Sequence, residues 1–371
     1  MEDLKFFILF FLSIINIDIK GLNQYYADYM GLKYTNSIKG IFVWIIFMQH
    51  YRNYYTKNIK YIYHRILNNL GQKMVSLFLF YSGYGIFESF KKKGIEYIKT
   101  LPKKALVLYI KFNLILLIFF LNNIILNNKI TLKKYILSMI FISDIGNSNW
   151  FAFTIIFFYI YCFISFRPIK NSNYILIGIV LITIICIIHF HLVYQYFYPN
   201  KLYSIDNTFC FLFGFYYSFL KKYIDEIIME NDCFYYSILT LFTSLYYYFN
   251  QKINNIYNLL IVNSIFSLII VFISMKIRIS NEFLLFLNSH SYSIYLLQRV
   301  IMIFIIKKKF FEKNEFIRFF IEFFAVLTLS SIFDKYTLII DKFIKKIFSK
   351  KIINKNKVCL FIFLKVQNTQ K

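Results

Sequence analysis

Proline is nearly absent from this chain of 371 residues, with three in all, and glycine occurs only ten times. Charge is scarce too, at 16% of residues against roughly 25% in a typical soluble protein. Acidic residues are the rarer sign, 18 Asp and Glu against 43 Lys and Arg. Five cysteines form no CxxC and no Cys/His ligand spacing, which supports neither a disulfide framework nor a zinc site. Cys162, Cys186, Cys210 and Cys233 lie in or beside apolar runs, where packing is their expected role, and Cys359 lies near the C-terminus. What fills the space is apolar: 59% hydrophobic residues, 22% of the chain being aromatic. A soluble single domain is excluded, and so is a disordered or fibrous chain.

The placement of the few charges is the stronger signal. Charge-free runs occupy 145–166, 171–200, 233–251 and 253–275, which are 22, 30, 19 and 23 residues long. A helix crossing the hydrocarbon core needs roughly 20 such residues. The fold class expected is therefore all-α, a polytopic transmembrane helix bundle. Its ten core helices are placed at 37–56, 71–89, 105–126, 149–166, 174–190, 208–220, 233–249, 256–275, 283–306 and 317–340. An extra apolar helix at the N-terminus, Phe6 to Ile17, makes residues 1–20 a separate unit, read as uncleaved because no small-residue cleavage pattern follows it. Residues 341–371 read as a basic tail whose short apolar patch, Val358–Leu364, cannot span.

In a soluble protein the net charge of +25 would point to nucleic acid; here loop lysines facing anionic lipid explain it, and no nucleic-acid partner is expected. Placing 20–39 in the cytoplasm gives cytoplasmic segments 24 Lys and Arg and the opposite side 13, so the bias assigns that orientation in a cell membrane.

Ionisable and strongly polar groups inside a bilayer are expensive and mark function by default. Of five histidines, His64 falls in a polar loop. His189 and His191, two residues apart, point to different helical faces and are read as interfacial, with poor metal geometry. His290 sits in a polar notch, Asn288-Ser-His-Ser291, and is placed to line a cavity. His50 ends a charge-free run that begins after Lys39. Eleven residues separate the two, almost three turns and about 16 Å of helix, so they share a face. Spacing alone leaves two readings of His50 open, a functional imidazole past the bilayer midplane or an interfacial ring beside Tyr51, Tyr54 and Tyr55.

Five stretches in order resemble the acyltransferase-3 family of membrane O-acyltransferases, over residues 35–340. Thr35-Asn-Ser-Ile-Lys-Gly-Ile41 with His50 is similar to that family's first core helix, a basic residue, Gly, an apolar run and His. Phe78-Leu-Phe-Tyr-Ser-Gly-Tyr84 resembles its Phe-rich Ser-Gly-aromatic helix, and Leu101-Pro-Lys-Lys104 with Tyr109 its basic motif before the third core helix. Gly146-Asn-Ser-Asn-Trp-Phe151 with Phe158-Tyr159 resembles the Trp to Phe-Tyr helix, and Ser291-Tyr-Ser-Ile-Tyr-Leu-Leu297 the late Ser to Tyr-Leu segment. The chain departs from the pattern in four places. Lys39 stands for the usual Arg, and Lys103-Lys104 for an Arg-rich loop, keeping charge but losing the bidentate fork. Thr154-Ile155-Ile156 replaces a stretch that often holds Glu, and Gln298 stands where many members carry His.

The resemblance implies transfer of an acyl group, commonly acetyl, from cytoplasmic acyl-coenzyme A to a hydroxyl of a cell-surface or lipid-linked glycan. It implies His50 as the catalytic residue, either a general base with an intrinsic pKa near 6.5 or a transiently acylated ring. Lys39, Lys103 and Lys104, with Lys91 to Lys93 nearby, are expected to hold the donor's phosphates. Asn147, Asn149 and Trp150 are expected to hold the acceptor by hydrogen bonds and ring stacking. No permanently bound cofactor and no metal are expected. Ser82 and Gly83 read as close-packing residues. Three rivals are weighed: a non-catalytic transporter or flippase for a lipid-linked glycan or acyl group, a polysaccharide polymerase or ligase with a long outward basic loop, and the other large membrane acyltransferase class, whose key His comes late.

Overall fold

A computed structural model describes residues 11, 15–55, 67, 70–147, 149–169, 174–192, 208–252, 255–310 and 314–368. Each of the ten expected core segments is helical. They are α1 (Leu32–Tyr55), α2 (Leu70–Lys93), α4 (Leu101–Ile125), α6 (Asn149–Phe166), α7 (Ile175–Leu192), α8 (Thr208–Ile228), α9 (Asp232–Gln251), α10 (Ile256–Lys276), the pair α11 (Glu282–Ser289) and α12 (Ser291–Lys307), and α13 (Glu315–Asn368). Two short helices were not expected, α3 (Ile95–Ile98) and α5 (Leu132–Met139), and nor was a two-stranded antiparallel pairing of β1 (Ile17–Ile19) with β2 (Ile277–Ile279). The protein is an all-α helical bundle.

Helix starts follow local chemistry. Asn231, Asn255 and Asn281 cap α9, α10 and α11, each side-chain oxygen accepting from the backbone N–H three residues on. Pro102 occupies the first turn of α4, where its missing N–H costs nothing. Gly94, at φ +59°, makes the left-handed turn between α2 and α3.

Among the described residues five helical stretches are long and apolar enough to cross a membrane: Ile95–Ile125, Asn149–Phe166, Ile175–Leu192, Ile256–Lys276 and Glu315–Ile344. The α11–α12 pair passes the same test jointly, across a 77° bend. The single helix expected over 283–306 is thus broken, at His290. The other core helices fall short, α1, α2 and α8 because charged and polar residues interrupt them and α9 because its tyrosines and polar residues lower its hydropathy, and α1 and α2 bury much of their length inside the bundle. The bundle therefore has the expected ten helical segments without ten lipid-type spans.

Over the tail expected at 341–371, α13 runs on as helix to Asn368. The N-terminal helix over 6–17 lies mostly outside the described residues, and its last residue, Ile17, opens β1.

Close helix contact is made through glycine, as read for Gly83. A β-carbon at Gly83 of α2 would overlap the carbonyl of Phe211 in α8, and one at Gly214 of α8 would overlap the carbonyl of Phe80 in α2. The two backbones touch directly, which is how membrane helices gain contact energy without a hydrophobic driving force. On the face carrying Lys39, residues 20–31 strap the ends of α8, α9 and α10. Tyr25 donates to Asp232 at 2.5 Å, Lys276 Nζ lies 2.7 Å from the same carboxylate, and Tyr29 donates to Asp225 at 2.6 Å.

Candidate active site

α1 carries Lys39 and His50 on one face, and three cavities adjoin along that line. The first, about 640 Å³, is lined by Lys93, Lys103, Lys104, Tyr97, Thr100 and Asp341, from the ends of α2 and α4, α3 and α13. Lys104 Nζ stands 4.1 Å over the Tyr97 ring, a cation held against an aromatic face. The second, a neck of about 290 Å³, holds Lys39, Ser82, Asn288, Ser291, Tyr292 and Gln298 among apolar walls. Leu108 and Tyr159 line both of these spaces. The third, about 610 Å³, holds His50 with Gln49, Asn53, Asp144, Asn147, Asn149, Trp150 and Arg299. Ile46, Val75 and Tyr295 are walls common to it and to the neck. Shared walls thus place the three spaces in series from Lys103 and Lys104, past Lys39, to His50.

All seven residues singled out from the sequence line this series: Lys103 and Lys104 the first space, Lys39 the neck, and His50, Asn147, Asn149 and Trp150 the third. Lys93 joins the inner cations. Lys91 does not, because it pairs with Glu88 and donates to the Ser218 carbonyl at 2.9 Å.

His50 faces its chamber, its ring centroid 6.5 Å from that of Tyr295 in a T-shaped arrangement. Among the described residues no hydrogen bond to its ring is seen and no carboxylate orients it. The loop before α6 is built to present its amides. Gly146 adopts φ +104°, a conformation that favours glycine. Asn147 accepts from the Ile145 N–H at 3.0 Å, while its Nδ2 is buried with no partner among the described residues. Asn149 donates to the Ser143 carbonyl at 2.7 Å, so that amide is spent on holding the loop.

Several residues of the series were missed in the sequence. Arg299 lies in an apolar helix, donates from Nε to the Tyr54 hydroxyl at 3.0 Å and lines the His50 chamber. The cost of an arginine inside a span was signal enough to find it. Asp144 and Gln72 carried no such signal, since they flank helix starts where polar residues are common.

Two further histidines have specific partners. His189, in the last turn of α7, is buried within the protein, hydrogen-bonded through Nδ1 to the Tyr161 hydroxyl at 2.8 Å and stacked against Phe153. The phenol satisfies the imidazole, so the ring can turn inward. His290 does not line the described cavities; its flanks Asn288 and Ser291 line the neck instead. Its Nδ1 meets Asp334 of α13 at 2.6 Å.

The acyltransferase-3 family model, described as an acyltransferase domain, matches residues 32–335. The chain belongs to that family. It is a membrane acyltransferase, and the helices that supply the resemblance are those that build the three chambers. No curated protein and no solved structure matches the chain. The acyltransferase's own geometry is therefore the basis for assigning roles within it.

Proposed function

We propose that this acyltransferase takes an acyl group, acetyl being the family's common choice, from acyl-coenzyme A in the cytoplasm. It passes the group to a hydroxyl of a cell-surface or lipid-linked glycan held outside, at the cell membrane. The observation that carries this reading is the series of adjoining cavities with cations at one end and His50 at the other. Lys93, Lys103 and Lys104 suit the donor's phosphates as charge-assisted partners. Lys39 follows at the neck, whose volume of about 290 Å³ is less than half the first space's 640 Å³, so the donor's narrow arm is assigned to it.

In the outer chamber the acceptor hydroxyl gives its proton to a neutral His50 nitrogen as its oxygen attacks the thioester carbon. The carbon–sulfur bond then breaks, and the thiolate takes the proton back from the imidazolium. The products are an ester and coenzyme A, with His50 restored. Asn147, Asn149 and Trp150 hold the acceptor beside the ring, Asn149 through the loop it braces.

Purified protein in lipid nanodiscs, given labelled acetyl-coenzyme A and surface glycan, tests the reading. His50-dependent label on the glycan supports it. Binding or movement of glycan without any acyl transfer favours the transporter reading instead. Mass spectrometry of surface glycans from cells with and without the gene then names the acceptor.

A further inference from the structure

The neck between Lys39 and His50 holds one polar group whose state calls for a ligand. Gln298 of α12 is 1% exposed and lines this space. Its Nε2 donates to the Tyr295 carbonyl at 3.1 Å, which fixes the amide plane. Its Oε1 is buried and has no hydrogen-bond partner among the described residues. A buried amide oxygen left unmet costs free energy, and native interiors rarely leave one so. Two hydroxyls of the neck are committed elsewhere. Ser82 donates to the Phe78 carbonyl at 2.7 Å, and Tyr292 donates to the Leu108 carbonyl at 3.1 Å.

We propose that Gln298 Oε1 is a donor-positioning acceptor, receiving the N–H of the pantetheine amide nearest the thioester. This rests on the acyl-coenzyme A reading above. A chain crossing the neck with only methylenes would leave Oε1 unmet, whereas a secondary amide brings the missing N–H. Placement selects which amide. Gln298 lies about two turns, roughly 10 Å, along α12 from Ser291. Its neighbour in sequence, Arg299, already lines the His50 chamber. The amide nitrogen closest to the sulfur is separated from it by two methylenes, so an N–H held at Gln298 sets the thioester carbon just beyond, on the His50 side. The distal amide would belong further back, toward Lys39. Where many relatives carry His, this chain has a side chain whose fixed oxygen accepts without depending on protonation.

The test uses the intact protein in nanodiscs with acetyl-coenzyme A and an analogue whose sulfur-proximal amide is an ester, which lacks the N–H. Wild type should show KM raised about tenfold on the ester, the value of one hydrogen bond of ordinary strength. Gln298→Leu should raise KM for acetyl-coenzyme A by a similar factor, with a smaller change in kcat, and should treat the two donors alike. Gln298→Met serves if the Leu variant fails to fold, and the wild-type comparison needs no variant at all. Equal KM values of wild type on both donors, or an unchanged KM in Gln298→Leu, would overturn the inference while leaving acyl transfer standing. Absence of any wild-type transfer from acetyl-coenzyme A would instead strike the donor reading, and this inference with it.

Discussion

His290 Nδ1 lies 2.6 Å from Asp334 Oδ2, and Ser293 donates to the other oxygen of the same carboxylate at 2.6 Å. These bonds pin the break between α11 and α12 against α13, and Asn288 and Ser291, close to His290 on either side, line the neck. Asp334→Ala should destabilise the protein by about 1–3 kcal/mol, because two donors lose their partner in a partly buried place. The fall in thermal midpoint in detergent measures it. Combined with His290→Ala the loss should be less than the sum of the singles. A strictly additive double variant would show that the contact carries no coupling.

Removing His50 separates chemistry from stability. With no hydrogen bond to its ring among the described residues, His50→Ala should leave the thermal midpoint almost unchanged. Transfer should fall about 10²–10⁴-fold, the range for a lost general base. Single-turnover assays on labelled acetyl-coenzyme A give the rate. Retained full activity would remove His50 from the mechanism.

The cations are expected to act on donor affinity rather than on the chemical step. Lys39→Ala, Lys103→Ala and Lys104→Ala should each raise KM for acyl-coenzyme A, by about tenfold where a charge-assisted bond is lost. Lys39→Arg should keep most of the affinity, since charge survives. Initial-rate kinetics across donor concentrations decide the matter. A lower kcat at constant KM for Lys39→Ala would place that lysine outside donor binding.

Glycine substitutions offer a direct check on the helix packing. Gly83→Ala and Gly214→Ala each put a methyl onto a facing carbonyl and should cost about 1–3 kcal/mol. Gly85→Ala, on the same helix as Gly83, meets nothing within 4 Å and should be neutral or stabilising by up to about 1 kcal/mol. Thermal midpoints of the three variants should separate accordingly. Equal behaviour at 83 and 85 would mean that α2 and α8 are not in backbone contact.

Much of the architecture was legible because apolar length is a one-dimensional property. The α10 helix over Ile256–Lys276 was readable almost to the residue from its bounding lysines, 252 and 276. The Lys39–His50 relationship was equally readable, since one helix fixes both the spacing and the face. The break at His290 was not: a polar notch over Asn288 to Ser291 is as compatible with a continuous helix, and the bend is held by Asp334, 44 residues away. The inward turn of His189 likewise depends on Tyr161, which sits on a different helix.

The sequence alone determined that this chain forms a bundle of apolar helices, that it resembles one acyltransferase family, and that a cation and an imidazole share the first core helix. Period and length suffice for the first and the last of these, which follow from the geometry of a single helix, while the resemblance rests on motifs read along the chain. Only the tertiary structure decided which side chains from separate helices meet around one space, how Gln298 and Arg299 flank the way to His50, and which polar atoms there remain unmet. Those are matters of convergence: a cavity exists only between elements, and no single segment carries the information for its walls.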